Sequence, residues 1–441
     1  MNNSLSLRAP LLAALLLSSP HTAASLPAQQ KTPLDSRSQT ASDATVALQS
    51  AESLTKAGRY PEAIGLYRHV LQLDPRTEAA QLGLADTYRR VHNYDQARAV
   101  LQAARHHHPK SSAILTALGS LEIETESWDA SIEALRLGVA LSPADTNARN
   151  LLGAAYLGKG DQPLALAQFA KILAQEPENQ LAHFQRAQIY ADSDENEKAL
   201  ADAEKVFAAR PNYLAGRTLL AKILLRLKQC ERAVEVLSPR ENQPQLDPQS
   251  LFLLANAYEC AGQVDLAKNA RDEFATASQN DRRQAENEVQ SKHLYEQANE
   301  LARQNHFSEA LDLLRQALDK NPKNAFAYSQ RAKIYFSLQR FDQARQAIAQ
   351  ALAVEPYQPD FLYVQGIIEE KEGNPDAALA TFEKVVQINP QEADAYFEIG
   401  QIWVQKQDRA RALDAFRKAA LLAPGDPDYR RAVEAARAPS P

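Results

Sequence analysis

His106, His107 and His108 stand in a row before Pro109, and three imidazoles together invite a metal ion. Successive residues of a helix point about 100° apart, so the three rings do not converge on one ion and the run reads as a solvated helix end. Cys230 and Cys260 are the only cysteines in 441 residues, and without a C-x-x-C spacing they are not a redox-active pair. A glycine-rich phosphate loop, a nucleophile elbow and a metalloprotease helix are all missing from the sequence. Asp and Glu are plentiful but scattered. These residues point to no catalytic site, no metal and no cofactor, and the chain is expected not to be an enzyme.

Charge and composition narrow the partners. Lys plus Arg number 49 against 55 for Asp plus Glu, a net charge of -6 with no basic stripe, which argues against nucleic acid. Fourteen glycines, 45% hydrophobic residues and few β-branched runs favour an all-helical protein.

The chain is built on a fixed period. Pro75, Pro109, Pro143, Pro177 and Pro211 are spaced 34 residues apart, and copies counted back from them begin at Ala44, Glu78, Ser112, Thr146 and Gln180. The eighth position of each copy is small (Ala51, Ala85, Gly119, Gly153, Ala187), and so is the twentieth (Ala63, Ala97, Ser131, Ala165, Ala199). Small side chains at matched positions let two helices approach closely. The stretch Ala325–Pro356 shows the unit: Tyr328, Ala332 and Tyr335 on one helical face, a turn near Arg340, then Ala344, Ile348 and Ala351 on a second face. One such hairpin cannot bury its own apolar side, so the copies must stack.

The 34-residue period, the large eleventh residue (Leu54, Tyr88, Tyr156, Tyr190), the small positions and the closing proline resemble the tetratricopeptide repeat. The resemblance implies an all-α right-handed superhelix of antiparallel helix pairs whose concave face binds peptides or protein partners. It also implies a groove lined by the second, fifth, ninth and twelfth positions of each first helix. In the last four copies these carry Lys292, Tyr295, Asn299, Phe326, Lys333, Phe336, Tyr363, Phe397 and Gln401, with Asp360 beside them. Aromatic anchors set among hydrogen-bonding groups suit a peptide groove; the alternative is that several rings pack between neighbouring copies. In the first copies the same positions are smaller and more polar, among them Asp86, Arg89, Ser120, Asn147, Asn150 and Gln188. A clamp for a terminal carboxylate is disfavoured, because Phe252 and Phe326 stand where it needs lysine.

Two further copies, starting at Leu214 and Pro248, are degenerate, and Pro239, Pro244 and Pro248 mark an extended loop between them. Cys230 and Cys260 fall near the hairpin tips of these two copies. Stacking sets the tips side by side, so in an oxidising compartment the pair would form a disulfide worth about 2–4 kcal/mol; otherwise they stand as two thiols. The next copy starts at Ser291, so extra residues enter around 275–290. That charged, helix-prone segment forms either one long helix or two helices meeting at 278–281, and the absence of a strong breaker favours the first. Copies from Ser291, Ala325, Pro359 and Ala393 follow, then a capping helix at Pro427–Arg437.

At the N-terminus, Arg8, the apolar run Ala9–Leu17 and the small residues up to Ala24 look like a cleaved secretory signal, too short to span a bilayer. The expected organisation is a signal peptide at 1–24, a flexible leader at 25–43 and repeats at 44–279. A charged helical insertion at 280–290, repeats at 291–425 and a cap and tail at 426–441 follow. The expected function is a periplasmic or secreted scaffold that binds a protein or peptide. Alternatives are a regulatory or assembly subunit of a cell-envelope enzyme complex, or a self-associating structural protein; without the signal, the chain would be cytoplasmic.

Overall fold

The computed structural model describes residues 33–238 and 246–437. Among them are helices and short turns and no strand, and the chain forms the expected all-α solenoid of stacked hairpins. The stretch read as a secretory signal lies outside the described residues. Contacts divide the chain into two units, 1–43 and 44–441, and the repeats lie in the second.

The first block pairs α1 (Pro33–Lys56) with α2 (Tyr60–Leu73), α3 (Glu78–Arg90) with α4 (Tyr94–His107), and α5 (Ser112–Glu124) with α6 (Trp128–Leu141). It continues with α7 (Thr146–Lys159) and α8 (Gln162–Gln175), α9 (Gln180–Asp192) and α10 (Asn196–Ala209), then α11 (Leu214–Arg226) and a short α12 (Cys230–Leu237). Next, α13 (Pro248–Cys260) pairs with the front of α14 (Val264–Arg303), and the rear of α14 pairs with α15 (Phe307–Lys320). The second block adds α16 (Ala325–Ser337), α17 (Phe341–Val354), α18 (Pro359–Lys371), α19 (Pro375–Ile388), α20 (Ala393–Gln405) and α21 (Arg409–Leu422), with α22 (Pro427–Arg437) over the end.

Two segments depart from or resolve the sequence reading. Residues 33–43, expected as flexible leader, are helical as the beginning of α1. No glycine or proline interrupts 34–56, the residues leading into the packed repeat. The 40-residue α14 runs unbroken through 275–290, the single long helix rather than two, in keeping with the absence of any glycine or proline between Gly262 and Pro322.

The local rules repeat with the period. Asp74, before Pro75, is held extended at φ -142° and ψ 100°, as proline requires of its predecessor, and this stops α2. Ser111, Asp145, Asn179, Asp247 and Asn324 cap first helices by accepting a backbone N–H three residues on. At the eighth position, glycine makes room for a large partner on the second helix of the same hairpin. A Cβ added at Gly153, Gly366 or Gly400 would stand 2.6, 2.7 or 2.4 Å from the rings of Phe169, Phe382 and Phe416.

Each hairpin tip turns through one left-handed residue. Gly58, His92, Glu126, Gly160, Asp194, Lys228 and Gly262, then Asn305, Gln339, Gly373 and Gln407, have φ between 55° and 87°. Seven of these carry a side chain in a conformation that favours glycine. Glu126→Gly, Lys228→Gly and Gln339→Gly, all at exposed tips, are each expected to raise stability by about 0.5–1 kcal/mol. Urea titration reads this directly, and midpoints that do not move would show that the tips carry no such strain.

The degenerate region is held by two devices. Cys230, opening α12, and Cys260, closing α13, are joined by a disulfide with Cα atoms 5.5 Å apart. Arg217 of α11, 1% exposed, donates from Nε to the carbonyl of Val236 at 2.8 Å and from Nη2 to those of Leu237 and Ser238 at 3.0 and 3.1 Å. These carbonyls close α12 at Ser238, its C-cap, and pair with no backbone N–H among the described residues.

The array also returns on itself. The second helices α2 and α19 lie side by side, with Arg68 Nη1 donating to the Val386 carbonyl (3.4 Å) and Asn93 Nδ2 to that of Ile388 (2.8 Å). The Tyr357 hydroxyl donates to the Gly58 carbonyl, and its ring sits 5.0 Å from that of Tyr60. One buried core runs across this closure, taking in Tyr67, Tyr88, Phe382, Val385 and Ile388.

Candidate functional site

First helices of successive hairpins line two cavities. The N-terminal one, about 480 Å³, is lined by Leu82, Asp86, Arg89, Thr116, Ser120 and Asn147 among others, from α3, α5 and α7. Asp86 and Arg89 are ion-paired, and Asp145, which also lines it, accepts the Ala148 backbone N–H. Arg89 donates to Asp86 at 2.6 Å and to Glu124 at 2.7 Å, while Arg90 Nε donates to the other Asp86 oxygen at 2.7 Å. Asn150 and Gln188, read from the sequence with this set, do not line it.

The C-terminal cavity, about 440 Å³, brings together Lys333 and Phe336 from α16, Asp360, Tyr363, Val364 and Ile367 from α18, and Glu392 and Asp394 at the start of α20. Lys333, Phe336 and Tyr363 were each singled out by position, and here they share one wall system. The Tyr363 ring is tilted against Phe382 at 5.5 Å and its hydroxyl donates to Glu398 Oε1 at 3.3 Å. Phe336 packs edge-on against Phe341 at 5.7 Å. Asn389 Nδ2 donates to Glu392 Oε2 at 2.8 Å, and the Tyr429 hydroxyl donates to Asp394 Oδ1.

The remaining sequence candidates lie outside this cavity. Tyr295 stands 6.3 Å from Phe326, whose ring is 5.2 Å from buried Phe361 yet still 42% exposed. Phe397 is wedged between Phe416 (5.5 Å) and Tyr429 of the capping helix (5.1 Å). Lys292 and Gln401 are exposed and Asn299 is half-buried. Ile367 and Asp394 were within reach of the same position rule, as the ninth and second residues of their copies. Glu392 was not, since it precedes its copy.

Burial sets the electrostatics of the C-terminal cavity. It pushes the Glu392 carboxyl above the usual range, with the charges of Asp360 and Asp394 adding to the effect. Glu398 is raised by burial and then by Glu370, and the Tyr363 phenol is raised by burial and by Glu398. A carboxyl whose folded pKa is raised favours its protonated form, so its ionisation costs stability once pH has climbed past that pKa, and the cost vanishes below the ordinary carboxylate range. Glu392→Gln and Glu398→Gln are therefore expected to stabilise the chain at neutral pH, with the gain shrinking as pH falls toward 4. Melting temperatures across that range test the sign; a gain that grows on acidification would contradict it.

No group of three or more His, Cys, Asp or Glu among the described residues is arranged to hold a metal ion, and no described helix is long and apolar enough to cross a membrane.

Models of the tetratricopeptide repeat match residues 54–121 and, in overlapping placements, 295–359, 329–393 and 363–427. Cellulose synthase operon protein C of Pseudomonas fluorescens (strain SBW25) is 24% identical over 438 residues, covering 85% of this chain and 33% of that protein. Tetratricopeptide repeat protein 6 of Homo sapiens is 30% identical over 124 residues, covering 28% of this chain and 24% of that protein. The chain thus spans a third or less of the length of these curated relatives. Among solved structures, that of MamA is 20% identical and covers 41% of this chain and 96% of its own, with a TM-score of 0.33.

Proposed function

The chain belongs to the tetratricopeptide repeat family, and from that premise we propose that it is a non-catalytic scaffold whose first helices hold an extended segment of a peptide or partner protein. The observation that carries this reading is the C-terminal cavity, where consecutive hairpins set Phe336 and Tyr363 beside Lys333, Asp360 and Glu392 in one space. Aromatic side chains in such a position contribute about 1–3 kcal/mol of binding each when covered. Selection of a random dodecapeptide display library on the full chain should yield binders, and Phe336→Ala should weaken them about tenfold or more. Binders indifferent to Phe336→Ala and Tyr363→Ala would remove the groove from this role.

The site of action proposed is the periplasm or the cell exterior. The apolar run after Arg8 supports export, and the Cys230–Cys260 bond suits an oxidising compartment. Mass spectrometry of the mature N-terminus decides it, with an intact Met1 arguing against cleavage. A second reading, as an assembly subunit of a cell-envelope enzyme complex, is favoured by the similarity along 85% of the chain to a cellulose synthase operon protein.

A further inference from the structure

We infer that the C-terminal cavity takes an arginine side chain of the bound segment, its guanidinium lying against the Tyr363 ring and among the carboxylates of Asp360, Glu392 and Asp394. This rests on the groove reading above and narrows it to one class of partner, a segment that presents arginine.

The two cavities differ in how their charges are settled. In the N-terminal one, Asp86 is held by two arginines of the chain itself. In the C-terminal one, none of Asp360, Glu392 and Asp394 is ion-paired among the described residues, and Lys333 is the single basic residue lining the space. Three carboxylates against one ammonium leave the cavity negative, and a second anion would be repelled. The groups that do contact these carboxylates are neutral: the Asn389 amide on Glu392 and the Tyr429 hydroxyl on Asp394. Each occupies one named oxygen and fixes the carboxylate in place, so the groups are pre-set for a cation and need little ordering when it arrives.

The walls choose among cations. Phe336, Val364 and Ile367 offer carbon surface for the methylene stem of a long basic side chain, whose charged end then reaches the carboxylates. Tyr363 is only half-buried and presents a ring on which a planar cation can lie. Guanidinium is planar, weakly hydrated and able to pair two oxygens at once, whereas ammonium is a compact, strongly hydrated point charge. About 440 Å³ lies within the range of pockets that bury a compact group. The raised Glu392 carboxyl agrees with this arrangement, because a cation at that place relieves the crowding of like charges.

The test uses the full chain and the peptides recovered by dodecapeptide display. Arginine should be enriched several-fold over the input library, and a synthetic binder should lose about tenfold in affinity when its arginine is replaced by citrulline, which keeps the shape and removes the charge. Replacement by lysine should cost less. The double variant D360N/E392Q should weaken the arginine peptide about tenfold and leave the citrulline peptide unchanged. It removes charge repulsion and keeps side-chain shape, and its circular dichroism should match the parent. Binders that depend on Tyr363 but carry no enriched arginine would overturn this inference while the groove reading stands. Arginine peptides that bind D360N/E392Q as well as the parent would also overturn it, and a library yielding no binder at all would overturn both.

Discussion

Arg217→Ala is expected to destabilise the array by about 3–5 kcal/mol, the range for removing one partner of a buried charged network. The substitution strips donors from the carbonyls of Val236, Leu237 and Ser238 and leaves a cavity where a fully buried side chain stood. Arg217→Lys should recover part of the loss, since one ammonium cannot span three carbonyls as the planar fork does. In a stack where each repeat contacts its neighbours, the damage should concentrate in α11 and α12, so hydrogen exchange there should accelerate before the urea midpoint of the whole chain shifts. An unfolding free energy within about 0.5 kcal/mol of the parent, together with unchanged exchange in α11 and α12, would show that Arg217 is dispensable as a cap.

The second large effect concerns α14. Adding one alanine between Ala285 and Glu286, in an exposed stretch of that helix, turns everything beyond it by about 100° and advances it about 1.5 Å. The contact between α2 and α19 cannot survive that rotation, although no residue of the contact has changed. A cysteine pair placed at Gly65 and Gln387 reports on it, because a Cβ at Gly65 would lie 3.2 Å from the Gln387 side-chain nitrogen. Cross-linking between them should fall at least tenfold after the insertion, with a larger radius of gyration in small-angle scattering. Unchanged cross-linking would mean that α14 does not set the direction of the second block.

The repeats were legible because the cues are local and recur. Proline closing nine of the eleven copies, alanine or glycine at the eighth position and the absence of breakers in 263–321 each act within a few residues, and the helices follow them. What stayed hidden depends on curvature accumulated over many hairpins. Nothing about Tyr60 or Tyr357 alone says that their rings will meet, since both are ordinary turn-flanking tyrosines in sequence. Arg217 was missed for a different reason: at the fourth position of its copy it resembles Arg149, which donates to the carbonyl of Pro143, and only the shortened α12 gives Arg217 another task. In the C-terminal cavity, the position rule found the rings and Lys333. The rule also reaches Asp394, the second residue of its copy, whereas Glu392 lies before its copy and needed the junction between hairpins to be seen.

The meeting of α2 with α19 also bears on the order of events in time. Arg68 and Val386 are separated by 318 residues, while every hairpin contact spans a few tens. Hairpins can therefore assemble quickly from neighbouring chain, and the junction of the two ends forms after them because its loop entropy is the largest to be overcome. Run backwards, its loss frees the first repeat and the tenth together. A protease acting on the native protein should accordingly nick near α2 and α19 at matched rates, as the two sides of a single seam.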